Sequence, residues 1–124
     1  MSNEYRLVVA GCRDFHDYSV ASVEIEKHIR TLGANCSVII ISGCASGADA
    51  LGERYATEHS LPIERYPADW ERYGRGAGPR RNEQMAKVAD GVLVFWDGKS
   101  RGTQSMIKCA QKYNKPCQVV YINK

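Results

Sequence analysis

At 124 residues the chain has the length of one domain, residues 1–124, and can bury most of its apolar surface on folding without covalent staples. Its apolar runs are strand-sized, none near the roughly 20 residues needed to span a bilayer, which excludes a membrane span and leads us to expect a soluble protein. Five cysteines, Cys12, Cys36, Cys44, Cys109 and Cys117, are odd in number, never spaced as CxxC and preceded by no signal peptide, which argues for reduced thiols in a cytoplasm.

Apolar, β-branched runs recur at Tyr5–Ala10, Val38–Ile41, Pro62–Tyr66, Val92–Trp96 and Gln118–Ile122, each bounded by Gly, Pro, Asn or Ser, and read as five strands. Helical spacing falls between them: Ile25, Ile29 and Leu32; Ala48, Leu51 and Tyr55; Met85, Val88 and Ala89; Met106, Ala110 and Tyr113. Strict βαβ alternation demands parallel pairing with right-handed crossovers, and the nearly unbroken apolar first, second and fourth strands predict cover on both faces. The expected fold is α/β, a Rossmann-like three-layer sandwich on a five-stranded parallel sheet of order 3-2-1-4-5. Pro62 supports that order, because proline opening the third strand is tolerated at a sheet edge and not in its middle. Pro67 to Gly78, with three glycines and no periodicity, reads as a long functional loop.

The formal charge of +3 is modest but localised: residues 65–81 carry Arg65, Arg72, Arg75, Arg80 and Arg81 against Asp69 and Glu71, so the whole excess sits in that stretch. It can draw in an anion. A polyanion-binding surface generally needs more, so nucleic acid is a partner that the chain allows but does not favour.

In an open parallel sheet, ligands sit beyond the carboxyl ends of the strands where the strand order reverses, here between the first and fourth strands. Three small, polar loops meet there: Gly11-Cys12-Arg13-Asp14-Phe15, Ser42-Gly43-Cys44-Ala45-Ser46-Gly47-Ala48-Asp49, and Asp97-Gly98-Lys99-Ser100-Arg101-Gly102-Thr103. In the second, Gly43 and Gly47 allow close backbone approach and the helix opening near Gly47 offers N–H groups to phosphate; tight turning and close packing explain the same glycines. Asp49 in the first helical turn is a cap or a ligand-binding carboxylate. The fourth strand's loop again places hydroxyls and a glycine at a helix start, where Ser100 or Thr103 could equally be an N-cap.

Pro79 suits the first position of the third helix, which puts Arg80 and Arg81 in its first turn, the wrong end for cations. Each costs about 0.3 to 1 kcal/mol there unless a negative group compensates. A bound phosphate would do so, with Arg81 and Asn82 as contacts; the competing explanation is pairing with Glu83 or Glu71. Trp70 and Tyr73 accompany Arg72 and Arg75, so a base could stack where arginine meets phosphate, although a buried loop anchor is the commoner use of such a tryptophan. Trp96 is core or pocket wall. His16 and the other two histidines form no zinc spacing and no triad, and neither metal nor cofactor is expected.

These residues resemble the YspA-like group of the SLOG superfamily, which also takes in the Lonely guy phosphoribohydrolases and the DprA/Smf DNA-processing proteins. The resemblance rests on Gly11-x-Arg13-x-Phe15, Ser42-Gly43-x-x-x-Gly47-Ala48-Asp49, Pro67-Ala68-Asp69-Trp70, Gly78-Pro79-x-Arg81-Asn82-x-x-Met85, Ala89-Asp90 and Ser100-x-Gly102-Thr103. It implies a Rossmann-like fold, a nucleotide-derived ligand cradled by the second and fourth loops, a sensing or nucleotide-processing role, and a homodimer by analogy. The hydrolase branch pairs an Arg-x-x-x-Met helix with a Pro-Gly-Gly-x-Gly-Thr loop and a following glutamate. Arg81 and Met85 match the first element, making Arg81 the one catalytic candidate. Asp97-Gly98-Lys99-Ser100-Arg101 and Gln104-Ser105-Met106 depart from the second, so acid–base work on an N-glycosidic bond would need Glu83, Asp49 or Asp69 instead.

The expected ligand-binding set is Gly11, Arg13, Ser42, Gly43, Gly47, Ala48, Asp49, Trp70, Arg81, Asn82, Ser100, Gly102 and Thr103. The expected partner is a nucleotide-derived small molecule. The alternatives are a nucleoside monophosphate phosphoribohydrolase and, more weakly, a binder of single-stranded nucleic acid through the basic loop.

Overall fold

The computed structural model describes residues 3–122. In chain order it comprises β1 (Glu4–Gly11), α1 (Tyr18–Arg30), β2 (Ser37–Ser42), α2 (Ala48–Glu58), β3 (Ile63–Arg65), α3 (Trp70–Tyr73), a 3-10 turn (Gly74–Gly76), α4 (Ala77–Val88), β4 (Gly91–Trp96), α5 (Arg101–Lys112) and β5 (Cys117–Tyr121). The five strands form one parallel sheet in the order β3-β2-β1-β4-β5, as the alternation predicts. Central β1 pairs on both sides, Val8 opposite Ile41 of β2 and Val92 of β4.

Because side chains alternate across a strand, β1 feeds two separate cores. Leu7 and Val9 point into the layer formed with Ala21 and Ile25 of α1 and Leu51 and Tyr55 of α2. Val8 and Ala10 point the other way, against Met85 and Ala86 of α4 and Met106 and Ala110 of α5. This two-sided burial is why the central strands lack an apolar–polar alternation. Both sheet edges are short or less buried: β3 has three residues and follows Pro62, and β5 has no fully buried residue.

The stretch from Pro67 to Gly78 is not an unstructured loop. Asp69 caps α3 by accepting from the Arg72 N–H at 3.2 Å, and the 3-10 turn then winds directly into α4. A four-residue helix is too short to show periodicity, so only the capping aspartate and Glu71 in the first turn announce it. As a result α4 begins at Ala77, two residues before Pro79, and Arg81 lies in its second turn rather than its first. Proline is accommodated because first-turn N–H groups have no intrahelical acceptor.

Helix α2 lies so close to the sheet that a Cβ on Gly52 would come within 2.7 Å of the Val9 Cβ. Gly52→Ala should therefore destabilise the protein by about 1–3 kcal/mol, since Val9 is fully buried between paired strands and cannot withdraw. Urea unfolding checks this; a midpoint equal to wild type would show the layer spacing to be looser than described.

Candidate functional site

The chain leaves β1 through Gly11, whose φ of +152° and close approach to the Phe95 carbonyl exclude a side chain. Cys12 then donates its N–H to Phe95 O at 3.0 Å, and Phe15 stacks on Phe95 with centroids 5.0 Å apart. This anchoring holds Arg13 at the switch point between β1 and β4. There the structure opens into a cleft of about 790 Å3, walled by the loops after β1, β2 and β4 and by the start of α4.

Arg81 dominates the wall. Only 9% exposed, it donates from Nε to Asn82 Oδ1 at 3.0 Å and from Nη1 to the Gly43 carbonyl. A Cβ on Gly43 would lie 2.8 Å from both Arg81 Nη1 and Asp49 Oδ2, so the bare α-carbon is what lets guanidinium and carboxylate approach the same backbone atom. Asn82 is locked in turn, its Nδ2 donating to Ser105 Oγ at 3.2 Å and to the Gly102 carbonyl at 3.5 Å, which ties α4 to the start of α5. Burial pushes the Arg81 guanidinium down from its ordinary value, Asp49 opposes that, and Arg13 adds to it as a like charge. Ion pairs among the described residues use Arg6, Lys27, Arg30, Arg54, Arg65 and Lys112; neither Arg81 nor Arg13 takes part.

Asp49 lines the same cleft and is 5% exposed. Its Oδ2 accepts the Ala45 N–H at 3.2 Å, yet desolvation outweighs this bond and the pull of Arg81, with Glu53 adding repulsion, so its carboxyl is pushed up to about 6. It is therefore both a turn-closing acceptor and a group that changes charge near neutral pH.

Opposite, Ser100 caps α5, its Oγ accepting from the Thr103 N–H at 3.5 Å and from Thr103 Oγ1 at 3.2 Å. Asp97 Oδ1 accepts the Lys99 and Ser100 N–H groups at 2.9 and 2.8 Å and shapes the preceding turn. A Cβ on Gly102 would meet open space, leaving backbone accessible on that wall. Trp70 is 49% exposed and lies across the cleft, with the Arg13 guanidinium 5.8 Å from its ring. It is a cleft wall rather than a buried anchor. Trp96 serves the loop instead, donating from Nε1 to the Ser100 carbonyl at 3.0 Å.

The structure thus gathers Gly11, Arg13, Asp49, Trp70, Arg81, Asn82, Ser100, Gly102 and Thr103 on one cleft, with Gly43 directly behind Arg81. It does not bring Ser42, Gly47 or Ala48 to that wall. Ser42 is buried, donating to Glu53 Oε2 at 2.6 Å and accepting the Cys44 N–H at 3.1 Å. Gly47, at φ +74°, packs against the Cys12 and Arg13 carbonyls, and Ala48 donates its N–H to the Cys12 carbonyl at 3.2 Å. The start of α2 is closed by protein, so close packing is what these residues do. Arg80 also leaves the site: its guanidinium lies 4.1 Å from the Tyr73 ring centroid. Glu83 pairs with Lys112 and Tyr113 rather than with either arginine, and Asp69 is the α3 cap. Asp14, His16, Ser46, Arg101 and Ser105 also line the cleft, beyond the expected set. Arg101 and Ser105, one turn apart at the start of α5, were legible from the Ser100 cap; Ser46 carried no signal.

A family model described as "YspA, cpYpsA-related SLOG family" matches residues 5–73. Gene 61 protein of Mycobacterium phage D29 is 31% identical over 119 residues, covering 90% of this chain and 92% of that protein. The chain belongs to the YspA, cpYpsA-related SLOG family. The matched region runs from β1 through α3 and so contains the Arg13, Asp49 and Trp70 parts of the cleft and Gly43 behind it, while Arg81 and the α5 turn lie beyond it. Two solved structures share the fold of this SLOG chain. DNA processing protein A from Helicobacter pylori, described for its single-stranded DNA binding mode, superposes with a TM-score of 0.66 at 23% identity, over 93% of this chain and 64% of that one. DprA from Streptococcus pneumoniae gives 0.62 at 22% identity, over 98% and 50%. The chain spans about half to two thirds of the length of those two. Among the described residues no helix is long and apolar enough to cross a membrane, and no group of three His, Cys, Asp or Glu side chains could hold a metal ion.

The Asp49 carboxyl makes stability depend on pH with a definite sign. Its pKa is about 6 in the folded chain against an ordinary 3.8, so the native state holds the proton more tightly and stability falls as pH rises from about 4 through 6. At about 1.4 kcal/mol per pKa unit the effect is of the order of a few kcal/mol. Asp49→Asn, which keeps an acceptor for Ala45, should be more stable than wild type at pH 7.5 and should lose that advantage near pH 4. Thermal melts across this range measure it; equal pH profiles would show the carboxyl to be hydrated.

Proposed function

We propose that this SLOG chain binds a nucleotide or nucleotide-derived phosphate in the cleft between β1 and β4. Arg81 and Asn82 clamp the phosphate from α4, Arg13 reaches it from the β1 loop, and the Ser100-Arg101-Gly102-Thr103 turn faces it at the start of α5, where N–H groups and the helix dipole favour an anion. Trp70 offers an apolar face to the base. Gly43 contributes by shape, since it seats Arg81, and Gly47 and Ala48 by fixing the loop behind it.

The observation that carries this reading is the buried Arg81. Its guanidinium faces a cleft rather than a carboxylate partner within ion-pair distance, and a second arginine stands nearby. Two guanidinium groups line one concave site whose walls are otherwise largely apolar, where an anion would balance their charge, and the planar fork of arginine suits phosphate. Membership of the SLOG family and the fold shared with the two DNA processing proteins support a nucleotide or nucleic-acid ligand over other anions.

A thermal-shift screen against nucleoside mono-, di- and triphosphates, cyclic nucleotides and ADP-ribose-type compounds tests the reading. A ligand at about 100 times its dissociation constant adds roughly 2.7 kcal/mol of stability. Arg81→Ala should weaken the best ligand at least tenfold, and Arg81→Lys should not restore it, because an ammonium lacks the bidentate fork. A screen without a stabilising nucleotide overturns the proposal.

Asp49 gives specific support to a second reading, hydrolysis of a nucleoside monophosphate to base and ribose 5-phosphate. A carboxyl pushed up to about 6 and buried beside Arg81 has the properties of a general acid. It would pass its proton to the departing base nitrogen as the N-glycosidic bond breaks, while water adds at the anomeric carbon and returns a proton to the carboxylate. Base release from a panel of monophosphates, lost in both Arg81→Ala and Asp49→Asn, is the expected result; tight binding with no base release assigns the protein to sensing.

A further inference from the structure

The two helical layers of the sandwich differ sharply in charge. α4 and α5 together carry six basic residues, Arg80, Arg81, Lys87, Arg101, Lys108 and Lys112, against Glu83 alone, a net of +5. α1 and α2 carry Lys27, Arg30 and Arg54 against Glu24, Glu26, Asp49, Glu53 and Glu58, a net of −2. In space the positive charge lies across the α4–α5 face, not only in the 65–81 stretch.

A groove of about 290 Å3 runs along the seam of α4 and α5, lined by Arg101, Gln104, Ser105, Lys108, Cys109 and Lys112 on one side and Pro79 and Glu83 on the other. Pro79, Arg101 and Ser105 also line the nucleotide cleft, so groove and cleft meet at a shared saddle. Positions 101, 104, 108 and 112 recur every three or four residues and so lie along one stripe of α5. From Arg101 to Lys112 the stripe extends about 16 Å along the helix axis, at 1.5 Å per residue. The one carboxylate in the groove is already engaged, Glu83 accepting from Lys112 Nζ at 2.9 Å and Tyr113 Oη at 2.8 Å. Arg101 and Lys108 are exposed and outside the ion pairs of the described residues.

We propose that the α4–α5 groove is a second anion subsite, which receives further phosphates of a ligand whose terminal nucleotide occupies the cleft. The ligand class is accordingly one with phosphates spread over successive units, an oligonucleotide-like chain. The length of the stripe favours this over the compact phosphate tail of a nucleoside polyphosphate. This inference rests on the cleft reading above, and the experiment separates the two.

Titrations with 5′-AMP, adenosine 5′-tetraphosphate and an eight-residue oligodeoxythymidylate, followed by intrinsic tryptophan fluorescence, compare wild type with Lys108→Ala, Lys108→Glu and Arg81→Ala. Lys108 lies outside the cleft on the solvent side of α5, so its variants fold. Lys108→Ala should weaken the oligonucleotide about fivefold and Lys108→Glu more, with 5′-AMP unchanged. The slope of log affinity against log salt for the oligonucleotide should fall by about 0.7, the loss of one phosphate contact on a single strand. Glu83→Gln, which removes the groove's carboxylate, should strengthen the oligonucleotide and leave 5′-AMP alone. Lys108 variants that match wild type for the oligonucleotide, or that weaken 5′-AMP equally, overturn the subsite. A Lys108 effect confined to the tetraphosphate overturns the spread-chain ligand. If Arg81→Ala removes all binding while Lys108→Glu changes nothing, the cleft stands and the groove falls; if Arg81→Ala changes nothing, the cleft reading falls first.

Discussion

A guanidinium cannot be buried unless its charge is balanced and its donors are satisfied, and much of the architecture around Arg81 follows from that requirement. One donor goes to a main-chain carbonyl at Gly43 and another to the neighbouring Asn82 amide, both neutral acceptors that satisfy hydrogen bonding without cancelling charge. Asp49, the carboxylate whose charge acts on Arg81, is itself desolvated and easily protonated. The result is a site whose net charge depends on proton occupancy at Asp49. Glycine at position 43 is a condition of this arrangement, because any side chain would occupy the space in which Arg81 and Asp49 approach the β2 loop.

The β2 loop shows how similar glycines come to do different things. Gly43 makes room for an arginine from another element; Gly47 makes room for the backbone of the β1 loop. The second contact seals the start of α2, whose first N–H bonds to the Cys12 carbonyl. Accessible backbone consequently lies on the opposite wall, where Gly102 leaves open space beside the capped turn of α5. α5 has no acidic residue, and α4 supplies Arg81 and, through Asn82, the hydrogen bonds that fix the two helices together. The positive layer and the open turn thus lie on the same side of the sheet.

Most of the scaffold could be read from the chain. The unbroken apolar runs at Val38–Ile41 and Val92–Trp96, the helical spacing between strands and Pro62 ahead of the third strand are local consequences of burial on two faces and of proline's missing donor. They led to the parallel order that the structure has. The interval from Pro67 to Gly78 reads as a loop because α3 and the 3-10 turn have seven residues in total, too few for hydrophobic periodicity, and are held by capping and by stacking of Arg72 and Arg80 on Tyr73. For the same reason the sequence puts Arg81 one turn earlier in its helix than the structure does.

Residue types and their local order therefore determined the layer architecture, the strand order and the set of polar loops that converge on the switch point. Tertiary structure alone decided which members of that set face a common space. Arg80 and Arg81 are adjacent in sequence, yet the roughly 100° turn between neighbouring helical positions sends one outward to Tyr73 and the other inward to Gly43. Likewise Asp49, Asp69 and Glu83 are chemically alike on paper. Only packing buries the first beside an arginine and commits the other two to a helix cap and a surface pair, because desolvation depends on neighbours far away in the chain.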